Sequence, residues 1–135
     1  MKQPKTSDVQ SITISASATK TFEFIAKPQN LPLWTSAFTL ADTKSAVMET
    51  PMGSVEILLE TAANPQTGTV DWTMTFPDGA SGKAYSRIVA DGERSIYCFI
   101  LMAPPVPLEM LEGALQAQSV TLAAELANLK QILEQ

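Results

Sequence analysis

The chain has 135 residues, 45% hydrophobic and 17% charged, with a formal net charge of −5 and a pI near 4.6. That is one domain long enough to bury a core. Its 9 Lys and Arg residues are scattered and outnumbered by 14 Asp and Glu, so no basic patch exists to recognise nucleic acid or an anionic membrane surface.

The N-terminal segment Met1-Lys2-Gln3-Pro4-Lys5 leads into polar residues and lacks the apolar core of a signal peptide. Residues 1–7 are expected to be frayed, and a cytoplasmic location is the default expectation. Val9, Ile12 and Ile14 alternate imperfectly and predict a first strand. Ser17 can cap a helix that places Phe22, Ile25 and Ala26 on one face. Pro28 ends that helix, because the residue before a proline is driven out of the α region. The stretch from Gln29 to Trp34 is broken by Pro32 and suits one further helical turn, which delivers Trp34 to the core.

From Phe38 to Met102 the punctuation is that of a β meander. Gly53, Gly68, Gly79 and Gly92 sit in turn signals at near-regular intervals. Val70, Trp72, Met74 and Phe76 alternate with Thr69, Asp71, Thr73 and Thr75, as in a sheet with one covered face. Val55, Ile57 and Leu59 follow the same rule. Tyr85, Arg87 and Val89 share a face, as do Tyr97, Phe99 and Leu101. The run from Ile96 to Met102 is apolar on both faces, which predicts a central strand.

Pro107 opens a last element. Leu108, Leu111, Leu115, Leu122, Leu126, Leu129 and Leu133 form one apolar stripe on a helix about 40 Å long. The stripe weakens at Gln118 and Ser119, and small or polar residues on a covered helix face leave space beneath it. This order of parts predicts an α+β fold, a curved antiparallel sheet closed over one long helix, with an internal cavity.

The opening, from Ile12 through Phe22 and Pro28 to Trp34, resembles the start of the START/Bet v 1-like (SRPBCC) superfamily, with its strand, Phe-x-Phe-Ile helix and Pro-x-Asn-x-Pro-x-Trp turn. The closing segment, Phe99 to Pro105 and the helix through Glu125 and Lys130, resembles that family's end. The similarity covers nearly the whole chain and is nearest the polyketide cyclase/dehydrase-like subgroup. It implies a helix-grip fold: a seven-stranded antiparallel sheet, two short helices and a long C-terminal helix around an apolar cavity. It also implies binding of lipids, sterols or polyketides, and in some members cyclisation or dehydration.

The residues expected to form the ligand site are Trp34, Phe38, Trp72, Met74, Tyr85, Arg87, Tyr97, Phe99, Leu101, Leu111, Leu115 and Gln118. Tyr85, Arg87, Tyr97 and Gln118 supply its polar groups. Arg87 inside would need an acid or an anionic ligand; the other phase of its strand, or an edge position, would give it to solvent. Glu56, Glu60 and Asp71 alternate with apolar residues and read as a solvated face. The chain has 0 His and 1 Cys. It therefore lacks the usual transition-metal ligands and any histidine-based catalytic set, and Cys98 in its apolar run reads as a packed thiol. No metal or cofactor is expected. The three functions compatible with this pattern are binding of a small hydrophobic molecule, cyclase- or dehydratase-like catalysis with Arg87 or a tyrosine at an enolate, and homodimerisation through Leu122, Leu126, Leu129 and Leu133. A fully packed core is the alternative to a cavity.

Overall fold

The computed structural model describes residues 6–50, 53–103 and 111–135, with the side chains of 50 and 111–113 excepted. Seven strands among these residues form one sheet: β1 Ser7–Ile14, β2 Phe38–Ala41, β3 Ser45–Thr50, β4 Gly53–Asn64, β5 Thr69–Thr75, β6 Ser81–Asp91 and β7 Arg94–Met102. Their order is β1-β7-β6-β5-β4-β3-β2, and every neighbouring pair is antiparallel. The meander therefore runs from β2 to β7, and β1 closes on its far side. Three helices cover the inner face: α1 Ala18–Ala26, α2 Leu31–Trp34 and the long α3 Leu111–Leu133. This is the α+β helix-grip arrangement.

Local chemistry sets each boundary. The Ser17 hydroxyl accepts from Lys20 N at 3.1 Å and caps α1. Pro28 ends α1 and starts a 3-10 turn that leads into α2, whose last residue, Trp34, is 2% exposed. β1 begins at Ser7, opposite Met102, and Thr6 O accepts from Ala103 N at 2.8 Å. Residues 6 and 7 thus take part in the strand pairing; residues 1–5 lie outside the described ones. The four turn glycines all have positive φ. Gly68 (φ +74°) is the most constrained, since a Cβ there would lie 2.2 Å from Ile88 O.

The core sits between the sheet and α3. Ile14, Ile57, Leu59, Val70 and Tyr97 rise from the strands to meet Leu122, Leu126, Leu129 and Leu133. These four leucines are buried within the chain, so they are not free to pair with a second subunit as the sequence allowed. A dimer would have to use another surface. Hydrogen bonds tie α3 down along its length. Gln10 Nε2 donates to Ser119 O (2.9 Å), Asn128 Nδ2 to Leu33 O (3.2 Å), Lys130 Nζ to Thr13 O (3.0 Å) and Lys20 Nζ to Leu133 O (2.9 Å). Glu134 accepts from Ser15 N at 2.8 Å and from Lys130. Inside the core, Thr21 and Ser95 bond each other at 2.9 Å, a buried polar pair no sequence pattern indicated.

Candidate functional site

The inner face of the sheet does not meet α3 everywhere. A cavity of about 390 Å³ remains, open to solvent on one side. Leu31, Trp34 and the 35–37 segment form one wall, and Phe38 and Met48 continue it along β2 and β3. The floor is Trp72 and Met74 from β5, with Phe76 just beyond it, Gly82 and Ala84 from β6, and Phe99 and Leu101 from β7. Ala117, Gln118, Thr121, Leu122 and Glu125 of α3 form the roof. Space survives here because of side-chain size. Gly82 pairs with Met74, and Ala84 lies between Trp72 and Leu101, so the smallest residues on β6 stand beside the largest on its neighbours. On α3 the same occurs where Ala117, Gln118 and Thr121 interrupt the leucine stripe.

A chain of aromatic rings underlies the cavity. Trp34 meets Tyr97 edge-on at 6.2 Å, Tyr97 meets Phe99 at 6.3 Å, and Phe99 stacks on Trp72 at 6.0 Å with 29° between planes. Such offset and edge contacts fix ring orientation beyond what area burial alone supplies. Burial pushes the Tyr97 hydroxyl well above the ordinary tyrosine value. Ser86 beside it opposes part of the rise, and the group stays neutral. At the mouth, Glu125 Oε2 accepts from Ser36 N (2.5 Å) and Ser36 Oγ (3.1 Å), which clasps α3 to the segment between α2 and β2. Glu125 and Lys83 are the charged residues among the described lining.

Seven expected residues come together here: Trp34, Phe38, Trp72, Met74, Phe99, Leu101 and Gln118. Tyr97 lies behind the wall, in contact with Trp34 and Phe99. Leu115 is buried but is not among the lining residues. The side chain of Leu111 lies outside the described residues. Tyr85 and Arg87 require correction. In β6 the buried positions are Ala84, Ser86 and Ile88, and the alternating partners Tyr85, Arg87 and Val89 face away from the cavity. Arg87 is exposed, and its Nε donates to Thr67 O at 3.2 Å beside a separate crevice under α1. The physical reason is register. Ala84 pairs with Trp72 and with Leu101, paired residues share a sheet face, and so Ala84, Ser86 and Ile88 take the inner face and Tyr85, Arg87 and Val89 the other. Sequence reasoning missed Leu31, Met48, Gly82, Ala84, Thr121 and Glu125; the alternation of small residues in Gly82-x-Ala84-x-Ser86 was the available signal. Among the described residues no group of three metal-ligating side chains converges, and no helix is long and apolar enough to cross a membrane.

No protein-family model and no curated protein matches the sequence. Solved structures do. A START superfamily protein from Mycobacterium smegmatis is 14% identical, with a TM-score of 0.70 over 96% of this chain and 99% of that one. The di-domain ARO/CYC protein BexL, of the BE-7585A biosynthetic pathway, is 13% identical with a TM-score of 0.70; the match spans 94% of this chain and 46% of BexL. The Aha1 dimer from Colwellia psychrerythraea is 16% identical with a TM-score of 0.65, over 96% and 97% of the two chains. The fold of the chain is thus START-like.

Proposed function

We propose that this protein binds a small, predominantly apolar molecule between its sheet and α3. The observation that carries this reading is the cavity itself: about 390 Å³, lined mainly by aromatic and aliphatic side chains, with few polar groups at its mouth. Ligand sites are concave, largely apolar and of this size. Burying ~200 Å² of ligand surface would yield about 5 kcal/mol before the cost of immobilising the ligand. The likeness to START-like structures supports the same reading.

Filling the cavity tests it. Ala84→Leu adds side-chain volume on the cavity floor, next to Trp72 and Leu101. Titration with an environment-sensitive apolar dye is expected to show saturable binding to the parent protein. In Ala84→Leu the affinity falls at least about tenfold, the equivalent of ~1.4 kcal/mol, while the melting temperature holds or rises. Equal dye binding by both proteins would place the dye elsewhere and remove the cavity from the account.

A cyclase- or dehydratase-like reaction on a polyketide-type substrate is the second reading, favoured by the likeness to BexL. With Arg87 on the outer face and Tyr97 behind the wall, that chemistry would have to use polar groups of the lining, such as Gln118, to stabilise an enolate. Product formation from a polyketide mimic distinguishes it from binding alone.

A further inference from the structure

The polar rim of the cavity is built from acceptors. The described lining has three side-chain hydroxyls, Thr35, Ser36 and Thr121, and each gives its hydrogen to another group of the protein. Thr35 Oγ1 donates to Leu31 O at 2.8 Å, Ser36 Oγ to Glu125 Oε2 at 3.1 Å and Thr121 Oγ1 to Ala117 O at 3.2 Å. A hydroxyl has one hydrogen to give and two lone pairs that receive, so what remains at all three is acceptor capacity. Glu125 adds a carboxylate, which can only accept while ionised. Ser36 engages its Oε2 through both N and Oγ, and Oε1 has no hydrogen bond among the described residues.

Donors are committed or turned away. The Ser36 N–H is held by Glu125, and the Nε1 atoms of Trp34 and Trp72 are closed off in the core. Lys83 is exposed and shares the outer phase of β6 with Tyr85 and Arg87, while Ala84 takes the inner one. Gln118 is the lining side chain that can offer both kinds of group. An anionic ligand end would therefore meet a carboxylate and spent hydroxyls. We infer that the polar end of the ligand is a protonated primary or secondary amine, whose N–H groups donate to Glu125 and the hydroxyl oxygens beside it while the apolar body fills the cavity. This inference rests on the binding reading above and adds a charge and a hydrogen-bond sense to it. Ser36, Gln118 and Thr121 are exposed and Glu125 half-buried, so the ammonium keeps part of its hydration and the gain is a several-fold preference.

Methylnaphthalene, naphthylmethylamine and naphthoate test the inference, since they share one ring system and differ in the charge of the end. Affinities are read by competition against the bound dye at low salt. The amine is expected to bind at least about fivefold more tightly than methylnaphthalene, and naphthoate more weakly than either. Added salt should shrink the preference for the amine. Glu125→Gln keeps an oxygen for Ser36 and removes the charge. In that variant the amine should fall toward methylnaphthalene, whose own affinity holds, and naphthoate should gain. Glu60→Gln removes the same charge from an exposed position on β4 and should leave the order unchanged. Three results would overturn the inference and leave the cavity reading standing: an amine no tighter than methylnaphthalene, naphthoate as the tightest ligand, or equal effects of Glu125→Gln and Glu60→Gln. No binding by any of the three compounds would remove the cavity reading, and this inference with it.

Discussion

Gly68 shows how one residue can set the geometry of the sheet. It sits at φ +74° with Ile88 O where its Cβ would be, and its own carbonyl accepts from Ile88 N at 2.8 Å. The β4–β5 turn is thereby folded against β6, next to the rows that carry Val70 and Trp72. An L-residue at Gly68 would meet both a backbone penalty and a clash with backbone. Gly92 shares the positive φ but has open space around it. Gly68→Ala is expected to cost about 3 kcal/mol and Gly92→Ala about 1 kcal/mol, measured by chemical denaturation. Equal costs would mean that the close approach to Ile88 does not constrain the turn.

At the scale of the element, α3 is fixed most firmly at its C-terminal end. Hydrogen bonds from Lys130 and from Ser15 N hold the Glu134 carboxyl below its ordinary value of 4.5. A depressed folded-state value means the folded protein releases this proton more readily than the unfolded chain. The stabilisation is therefore complete above about pH 4.5 and is lost as pH falls through the lower folded value. Glu134→Gln should be less stable than the parent at neutral pH, and the gap should close toward pH 3. Urea midpoints across that range check it; a gap independent of pH would show that the Glu134 charge plays no part. Asp42, lowered by the backbone N–H groups of Lys44 and Ser45, adds its own acid-sensitive term in both proteins.

The elements themselves were legible in the sequence because each had a local cause. Ser17 caps α1, Pro28 stops it, turn glycines separate the strands, and the leucine stripe marks α3. β5 was legible down to its buried face, since Val70 and Trp72 point inward as their alternation predicts. The phase of β6 was not. Both of its faces carry apolar residues, Tyr85 and Val89 on one side and Ala84 and Ile88 on the other, so alternation alone does not choose between them. The choice comes from the neighbours, through the pairing of Ala84 with Trp72 and Leu101. Register across strands far apart in sequence is long-range information that no local pattern contains. For the same reason the Glu125–Ser36 clasp, 89 residues apart, was invisible until the fold brought its halves together.

On the scale of the whole molecule, the sheet curls around α3 but the two surfaces do not fully close. Leu122, Leu126, Leu129 and Leu133 weld one end of the helix to the core, and Ala117, Gln118 and Thr121 leave room under the other. Stability and binding are thus divided along a single helix. The most direct test of this account is native mass spectrometry of the purified protein, followed by denaturation and identification of any released molecule, with thermal-shift titration of fatty acids, sterols and aromatic polyketides alongside. The account predicts a stoichiometric apolar adduct, or a saturable upward shift with at least one class. A clean mass for the chain alone, with no shift across the panel, would contradict it and mean that the space beneath α3 is a packing gap rather than a binding site.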